Sequence, residues 1–252
     1  VADDPLEQLL CDLGDEQTEL QAVLRGVRPD DWFRPTPAKG WDVRDTVAHL
    51  ADTDEIAIDT CTGGPRPLDE FAARLASAED TTLWGVLRGR RLAGPDVLAW
   101  WERTSTAERE LLARLDPAQR VPWGLGMRVP SFVTARLMEC WAHGLDIRAA
   151  LDVPARDTDR LRHVAWLAVR ALPYAFGVAG REPPPGALRV ELVGPSGARW
   201  DFGPPDAPDR VTGPAGQFCR LFVQRITRAD ATDLVAEGNG AVAALEVARA
   251  YL

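Results

Sequence analysis

Apolar residues recur at helical spacing from the beginning of the chain. Between Pro5 and Arg25, Leu6, Leu9, Leu10, Leu13, Leu20, Val23 and Leu24 fall mostly on one side with acidic residues elsewhere, which predicts an amphipathic helix ended by Gly26 and Pro29. A polar link containing Trp32, Pro35, Pro37 and Gly40 leads to a second helix. There Asp42 is a suitable N-cap, Asp45 sits where the positive helix end favours a carboxylate, and Val43, Val47, Leu50, Ala57 and Ile58 make the apolar stripe. His49 falls off that stripe among Thr46, Thr53 and Ile56, so it faces a second, more polar surface. Leu68 to Leu83 reads as indistinct helix. Gly94-Pro95-Asp96 opens a long helix through Leu98, Trp100, Trp101, Ala107, Leu111, Leu112 and Leu115, stopped by Asp116-Pro117. Trp123 to Pro130 is expected to be a loop, after which Ser131 caps a helix that runs to Ala150.

Beyond Pro154 the pattern changes. Asp157-Thr158-Asp159 is expected to cap a helix through Leu161, Val164, Leu167 and Leu172, and Glu182-Pro183-Pro184-Pro185 then breaks the chain. Leu188 to Val193 alternates as a strand, Gly194 to Gly197 turns, and Ala198 to Phe202 returns as its hairpin partner. Val211 to Arg225 reads as a helix with Phe218, Leu221 and Phe222 inward, and Ala241 to Leu252 as a closing helix. The chain is thus mainly α with a small α+β part: a four-helix bundle over residues 1–155 and a small α+β domain over 156–252.

Composition narrows the partners. With 46% hydrophobic and 27% charged residues among 252, the chain has ordinary globular content and ample core. The formal charge of −9 argues against nucleic acid, whose phosphates call for a basic footprint. The short run Arg88 to Arg91 reads as a solvated loop or helix end. Four scattered cysteines (Cys11, Cys61, Cys140 and Cys219) with no Cys-x-x-Cys pair and no apolar run near the roughly 18 residues of a membrane span lead to the expectation of a reduced, soluble, cytoplasmic protein.

The candidate chemistry lies on the helix Ser131–Ala150. Glu139 and His143 stand one turn apart on one face and can reach a single point, a geometry that suits two ligands of a divalent metal as well as a hydrogen-bonded core pair. On a helical wheel Ala135, Met138, Trp141, Ala142, Leu145 and Ala149 form an apolar arc, with Glu139, His143 and Asp146 at its edge beside Phe132. Polar groups on such a border need partners. Cys140 points elsewhere and reads as packing.

Trp41-Asp42-Val43-Arg44-Asp45-Thr46-Val47-Ala48-His49-Leu50, followed by Glu139-x-x-x-His143-Gly144-x-Asp146, resembles the DinB-like metal-binding superfamily of four-helix bundles, and within it the mycothiol-dependent maleylpyruvate isomerase family of actinobacteria. Asp159 to Val164 and Arg210 to Ala215 extend the likeness over nearly the whole chain and resemble an actinobacterial branch known mainly for metal binding. The resemblance implies a divalent ion, zinc before nickel or iron, held by His49, Glu139 and His143. It also implies mycothiol as a cosubstrate and a small carboxylate or electrophilic metabolite as substrate. Three protein ligands leave a position open, the arrangement of a catalytic rather than a structural zinc. In the isomerases that the chain resembles, a thiolate adds to an activated double bond, the bond rotates, and elimination gives the trans isomer; a thiol transferase stops at addition or displaces a leaving group.

Two further residues are candidates for catalytic roles: Asp146, one turn after His143, as the group that orients its imidazole, and Arg225 as a bidentate anchor for a substrate carboxylate. Arg225 and Arg228 can equally cap a helix C-terminus or pair with Asp230. Asp45 stands one turn before His49 in a similar relation, while His163 reads as a hydrogen-bonded core residue. Trp123 and Met127 are candidates to line a pocket. Rival readings are a thiol-independent metal-dependent hydrolase or lyase and a non-catalytic small-molecule or metal-binding protein, as a monomer or a homodimer.

Overall fold

The helical periodicity of the first 150 residues becomes six helices in a computed structural model that describes residues 5–73, 78–124 and 126–250, with backbone alone at 78–81. They are α1 (Pro5–Arg25), α2 (Val43–Thr62), α3 (Leu68–Ala73), α4 (Ala78–Gly89), α5 (Gly94–Leu112) and α6 (Val129–Ala150). α1 packs on α5 and α6, and α2 packs on the same two, so the four long helices close a bundle. Leu20, Leu24, Val43, Val47, Leu50, Val97, Trp101 and Ile147 fill its core with Trp32 from the link after α1. By contacts the chain divides into two units, Val1–Ala155 and Arg156–Leu252. No helix among the described residues is long and apolar enough to cross a membrane.

α2 starts where its cap residues demand. Asp42 Oδ1 accepts from Asp45 N at 2.7 Å and Asp45 Oδ2 accepts from Asp42 N at 3.4 Å, a reciprocal capping box. Asp45 is also bound by Arg90 Nη2 at 2.7 Å, so its carboxylate serves the helix start rather than His49. The run Arg88 to Arg91 is therefore not idle solvated charge: Arg88 Nη1 reaches Asp52 at 2.6 Å and Glu55 at 2.7 Å, and both arginines tie the end of α4 to α2. Two glycines make this close approach feasible. A Cβ on Gly85 would stand 2.5 Å from Asp52 Cβ, and one on Gly89 only 2.3 Å from Ala48 Cβ.

Several boundaries differ from the sequence expectation. The Leu68–Leu83 span holds α3 and the first half of α4, which continues to Gly89, with 74–77 outside the described residues. The Trp123–Pro130 stretch is not all loop: β2 (Met127–Arg128) lies within it, pairs with β1 (Arg120–Val121), and is followed at once by α6. α6 begins at Val129 with Arg128 in the cap position, so Pro130 lies inside the first turn, where its missing N–H costs nothing, and Ser131 is not the cap. The apolar arc drawn on α6 is too narrow. Phe132, Val133, Leu137, Cys140, Trp141 and Ile147 are buried all around the helix, while Ala149 is exposed and Leu145 half-buried.

The second unit carries α7 (Leu161–Arg170), α8 (Leu172–Val178), β3 (Leu188–Val193), β4 (Arg199–Phe202), β5 (Asp209–Pro214), α9 (Ala215–Phe222), β6 (Val235–Glu237) and α10 (Asn239–Glu246). The hairpin β3–β4 is as the alternation predicts. β5, read from sequence as the start of a helix, instead pairs in parallel with β3, Val190 beside Val211, in a sheet ordered β4-β3-β5-β6. Only Ala215–Phe222 of the Val211–Arg225 span is helical, and Leu172 belongs to a separate helix. Asp157 and Asp159 do not cap α7: Asp157 pairs with Arg220 at 2.7 Å and Asp159 accepts from Ser196 N at 3.1 Å. α10 starts at Asn239 and ends at Glu246, and Leu252 lies outside the described residues.

Helix propensity alone makes Gly89→Ala stabilising by about 1 kcal/mol. The Ala48 contact reverses that sign. Urea denaturation is expected to show a net loss of about 1–3 kcal/mol for Gly89→Ala, the cost of overpacking, and a gain would show that α4 does not press on α2 as described.

Candidate metal centre

α2 and α6 bring together the three residues that the sequence singled out. One ligand atom each of His49, Glu139 and His143 lies within 4.8 Å of the other two. Glu139 Oε2 stands 3.6 Å from His49 Nε2 and 3.5 Å from His143 Nε2. These are long for hydrogen bonds but close to the roughly 3.3–3.4 Å that separates ligand atoms with 2.0–2.1 Å bonds to a tetrahedral ion. The donor set of two imidazoles and one carboxylate therefore fits a divalent cation.

The two imidazoles are held from outside the cluster. His143 Nδ1 meets Asp146 Oδ2 at 3.2 Å; a carboxylate accepts only, so the ring proton sits on Nδ1 and Nε2 turns toward Glu139 and His49. Trp41 lies against both rings, its centroid 5.1 Å from that of His49 and 6.1 Å from that of His143. The Trp41 backbone is fixed by Thr36, whose N and Oγ1 both donate to Trp41 O.

Charge within the cluster is unevenly distributed. Burial works to raise the Glu139 carboxyl, but the two facing imidazoles of His143 and His49 prevail and hold it well below the usual glutamate range. Burial also lowers both histidines. It wins at His49, which stays neutral to lower pH than usual, and loses at His143, where Asp146 and Glu139 favour the imidazolium.

One turn along α6 lies a second polar group that the sequence reading missed. Arg136, only 4% exposed, donates through Nε to Glu108 Oε1 at 2.9 Å and through Nη2 to Asp54 Oδ1 at 2.6 Å and Thr53 Oγ1 at 3.1 Å. Thr53 in turn donates to His49 O, so this network adjoins the histidine of α2. Two buried carboxyls share one guanidinium. Burial, with Asp54 nearby, pushes Glu108 well above its ordinary value, and its Oε2 is buried without a hydrogen-bond partner. The available signal was position: Arg136 precedes Glu139 by three residues on the same helix face.

The other candidates are placed as follows. Arg225 belongs to the second unit, where its Nη1 donates to Val223 O at 2.7 Å; Arg228 likewise donates to Ala231 O, and Asp230 accepts from Thr227. Cys140 is buried in the bundle core, and burial pushes its thiol well up. Trp123 packs on Phe132 at 5.2 Å with Arg136 over its ring, while Met127 belongs to β2.

A helical bundle with a three-donor cluster on two facing helices defines a class, and comparison with known proteins gives the family. A family model described as mycothiol maleylpyruvate isomerase N-terminal domain matches residues 13–148. The chain belongs to that family. It is 39% identical, over 96% of its length and 94% of theirs, to two Mycobacterium tuberculosis proteins, "Uncharacterized protein Rv0036c" of strain H37Rv and "Uncharacterized protein MT0041" of strain CDC 1551 / Oshkosh. A crystal structure of the mycothiol-dependent maleylpyruvate isomerase superposes with a TM-score of 0.60 at 18% identity, covering 93% of each chain; a histidine-to-alanine mutant of it gives 0.59 at 17%. At such identity the likeness establishes the shared fold.

The Arg136 network has a direct test. A Glu108 that keeps its proton when folded binds more protons than the unfolded chain above the ordinary glutamate range, so stability falls as pH rises through that window. Glu108→Gln is expected to flatten this slope in urea denaturation at a series of pH values and to change stability at pH 7 by no more than about 1 kcal/mol. Arg136→Met, which strands two buried carboxyls, is expected to lose about 3–5 kcal/mol. An unchanged pH slope in Glu108→Gln would show that Glu108 is ionised.

Proposed function

We propose that the chain is a metal-dependent enzyme of the maleylpyruvate isomerase or thiol S-transferase kind, with His49, Glu139 and His143 holding a divalent ion, zinc foremost, and mycothiol as cosubstrate. The observation that carries this reading is the convergence of three donor atoms at separations that suit ligands of one cation. When bound, such an ion would keep a coordination position open and there acidify a thiol or polarise a substrate carbonyl.

The chain's own residues supply the setting. Glu139, kept ionised by its two imidazole neighbours, provides the negative charge that draws a cation. Asp146 holds the His143 ring so that Nε2 stays turned inward, and neutral His49 has its nitrogen lone pair ready for donation. Trp41 walls the two imidazoles. A small carboxylate or electrophilic metabolite is the substrate class that suits thiol addition. Four free cysteines are compatible with the reducing cytoplasm that a thiol cosubstrate requires.

Metal analysis of protein purified without a nickel column is expected to give about one equivalent per chain; a value near zero that added zinc leaves unchanged ends the metal reading. Zinc affinity is expected to weaken as pH falls through the raised His143 value, because that imidazolium must release its proton first. Asp146→Asn is expected to move this onset to lower pH and, at high pH, to weaken binding roughly 10–100-fold. With metal-loaded protein, isomerisation of maleylpyruvate or transfer of the thiol to an electrophile is expected only when mycothiol is present, and Glu139→Gln is expected to reduce it. Turnover without thiol points to a hydrolase or lyase, and metal-loaded protein inert toward every electrophile tried points to a binding protein.

A further inference from the structure

The two imidazoles of the cluster are steadied by different means. His143 has Asp146 on its Nδ1 at 3.2 Å. His49 faces Glu139 through Nε2, and among the described residues no side chain or backbone group hydrogen-bonds its Nδ1. Asp45, which stands one turn before it, is taken up by the capping box and by Arg90. The second nitrogen of a metal-ligating histidine is usually fixed by a hydrogen bond. Here the protein supplies an aromatic face instead: the Trp41 indole lies against the His49 ring, centroid to centroid 5.1 Å at an interplanar angle of 49°.

That indole is presented by a closed loop. Pro35 and Asp42 form an antiparallel bridge, and Val43 N donates to Arg34 O at 3.1 Å. Inside it, Thr36 donates to Trp41 O through N at 2.9 Å and through Oγ1 at 3.1 Å, and Trp41 N donates to Ala38 O at 3.0 Å. The last of these bonds closes a turn whose third residue, Gly40, has φ +81°, the left-handed conformation that a type II turn requires there. Both backbone polar groups of Trp41 are thus tied down, immediately before the capped start of α2. The indole also lies along His143, 6.1 Å away at 27°, and the two imidazoles meet edge to face at 4.8 Å. One side chain therefore lies against two rings that come from different helices.

We infer that Trp41 is a positioning residue for the metal centre: its indole does for His49 by packing what Asp146 does for His143 by hydrogen bonding, and holds Nε2 toward Glu139 before any cation arrives. The inference rests on the metal reading above. An imidazole turns easily about its last torsion, whose preferences are broad. A half turn of the His49 ring would put carbon where Nε2 stands, and a flat, fixed indole bars that turn on one side. Donors held ready in this way spare the ordering cost that binding would otherwise carry. An aliphatic side chain fills space but offers no plane to set the ring against.

The chain has three histidines, so their imidazole signals are separable by proton NMR when each is replaced in turn. In metal-free protein, Trp41→Leu is expected to move the His49 ring signals, displaced by the ring current of the indole, toward those of a free imidazole. In zinc competition titrations the same variant is expected to bind roughly tenfold more weakly with unchanged circular dichroism, the size of loss that follows removal of a ligating histidine's support. Trp41→Phe, which keeps a flat face, is expected to recover most of that loss. If Trp41→Leu does not fold, Thr36→Val serves in its place: it removes one hydrogen bond to Trp41 O, keeps the indole, and is expected to weaken zinc binding roughly threefold. A wild-type chain that takes up no zinc overturns the metal reading and this inference together. Wild-type zinc affinity matched by Trp41→Leu, or His49 signals that do not move, overturns this inference alone.

Discussion

A helix buried on nearly every side has no room for charge that is not answered, and α6 carries Arg136, Glu139, His143 and Asp146 within eleven residues. Each unpaired charge in such a place would cost several kcal/mol. The bundle is arranged around meeting that demand. Arg136 is answered by Asp54 of α2 and Glu108 of α5, Glu139 by His49 of α2 and by His143, and His143 again by Asp146. The register of α2 against α6 is thereby set twice, one turn apart, and the capping box that fixes where α2 begins fixes where His49 falls along it.

These two polar layers do different work. In the Arg136 layer the guanidinium donates through Nε and Nη2 to two carboxyls that burial pushes up, so the layer carries little net charge to draw a cation. The Glu139 layer is the reverse. Its carboxylate is driven down rather than up, and it is faced by two nitrogens at distances too long to satisfy it well. Charge that is stabilised as an anion yet poorly hydrogen-bonded favours a cation over a proton.

The sequence disclosed the Glu139 layer because its parts are local or distinctive: an i, i+4 pair on one helix, and a histidine off the apolar stripe of another. The Arg136 layer was not legible in the same way. Its partners lie 82 and 28 positions away, and arginine on a helix is read by default as solvated. Capping at Asp42 was legible because reciprocal aspartates three apart have one physical use. By contrast Ser131 lost the cap position to a helix that starts two residues earlier with Pro130 in its first turn. β5 escaped because Gly213 and Pro214 break the alternation that marks a strand, and its pairing with β3 comes from elsewhere in the chain. α4 was indistinct for a related reason: its apolar residues face outward, so its pattern does not point to the core.

The fold is shared at 18% identity with an isomerase, and so little identity transmits architecture rather than chemistry. The chemistry rests on a local balance of charge. Arg136 carries a positive charge one turn from Glu139, and left alone it would repel a divalent ion from the very place where the donors converge. Asp54 cancels that charge at 2.6 Å, and burial, by pushing the Glu108 carboxyl well up, disfavours a second anion in the neighbouring layer that would compete for a cation. What remains uncancelled is Glu139 itself, with neutral His49 on one side and Asp146 behind His143 on the other. The paired layer thus holds the helices in register and, by staying close to neutral, leaves the excess of negative charge at the layer where three ligand atoms face one another.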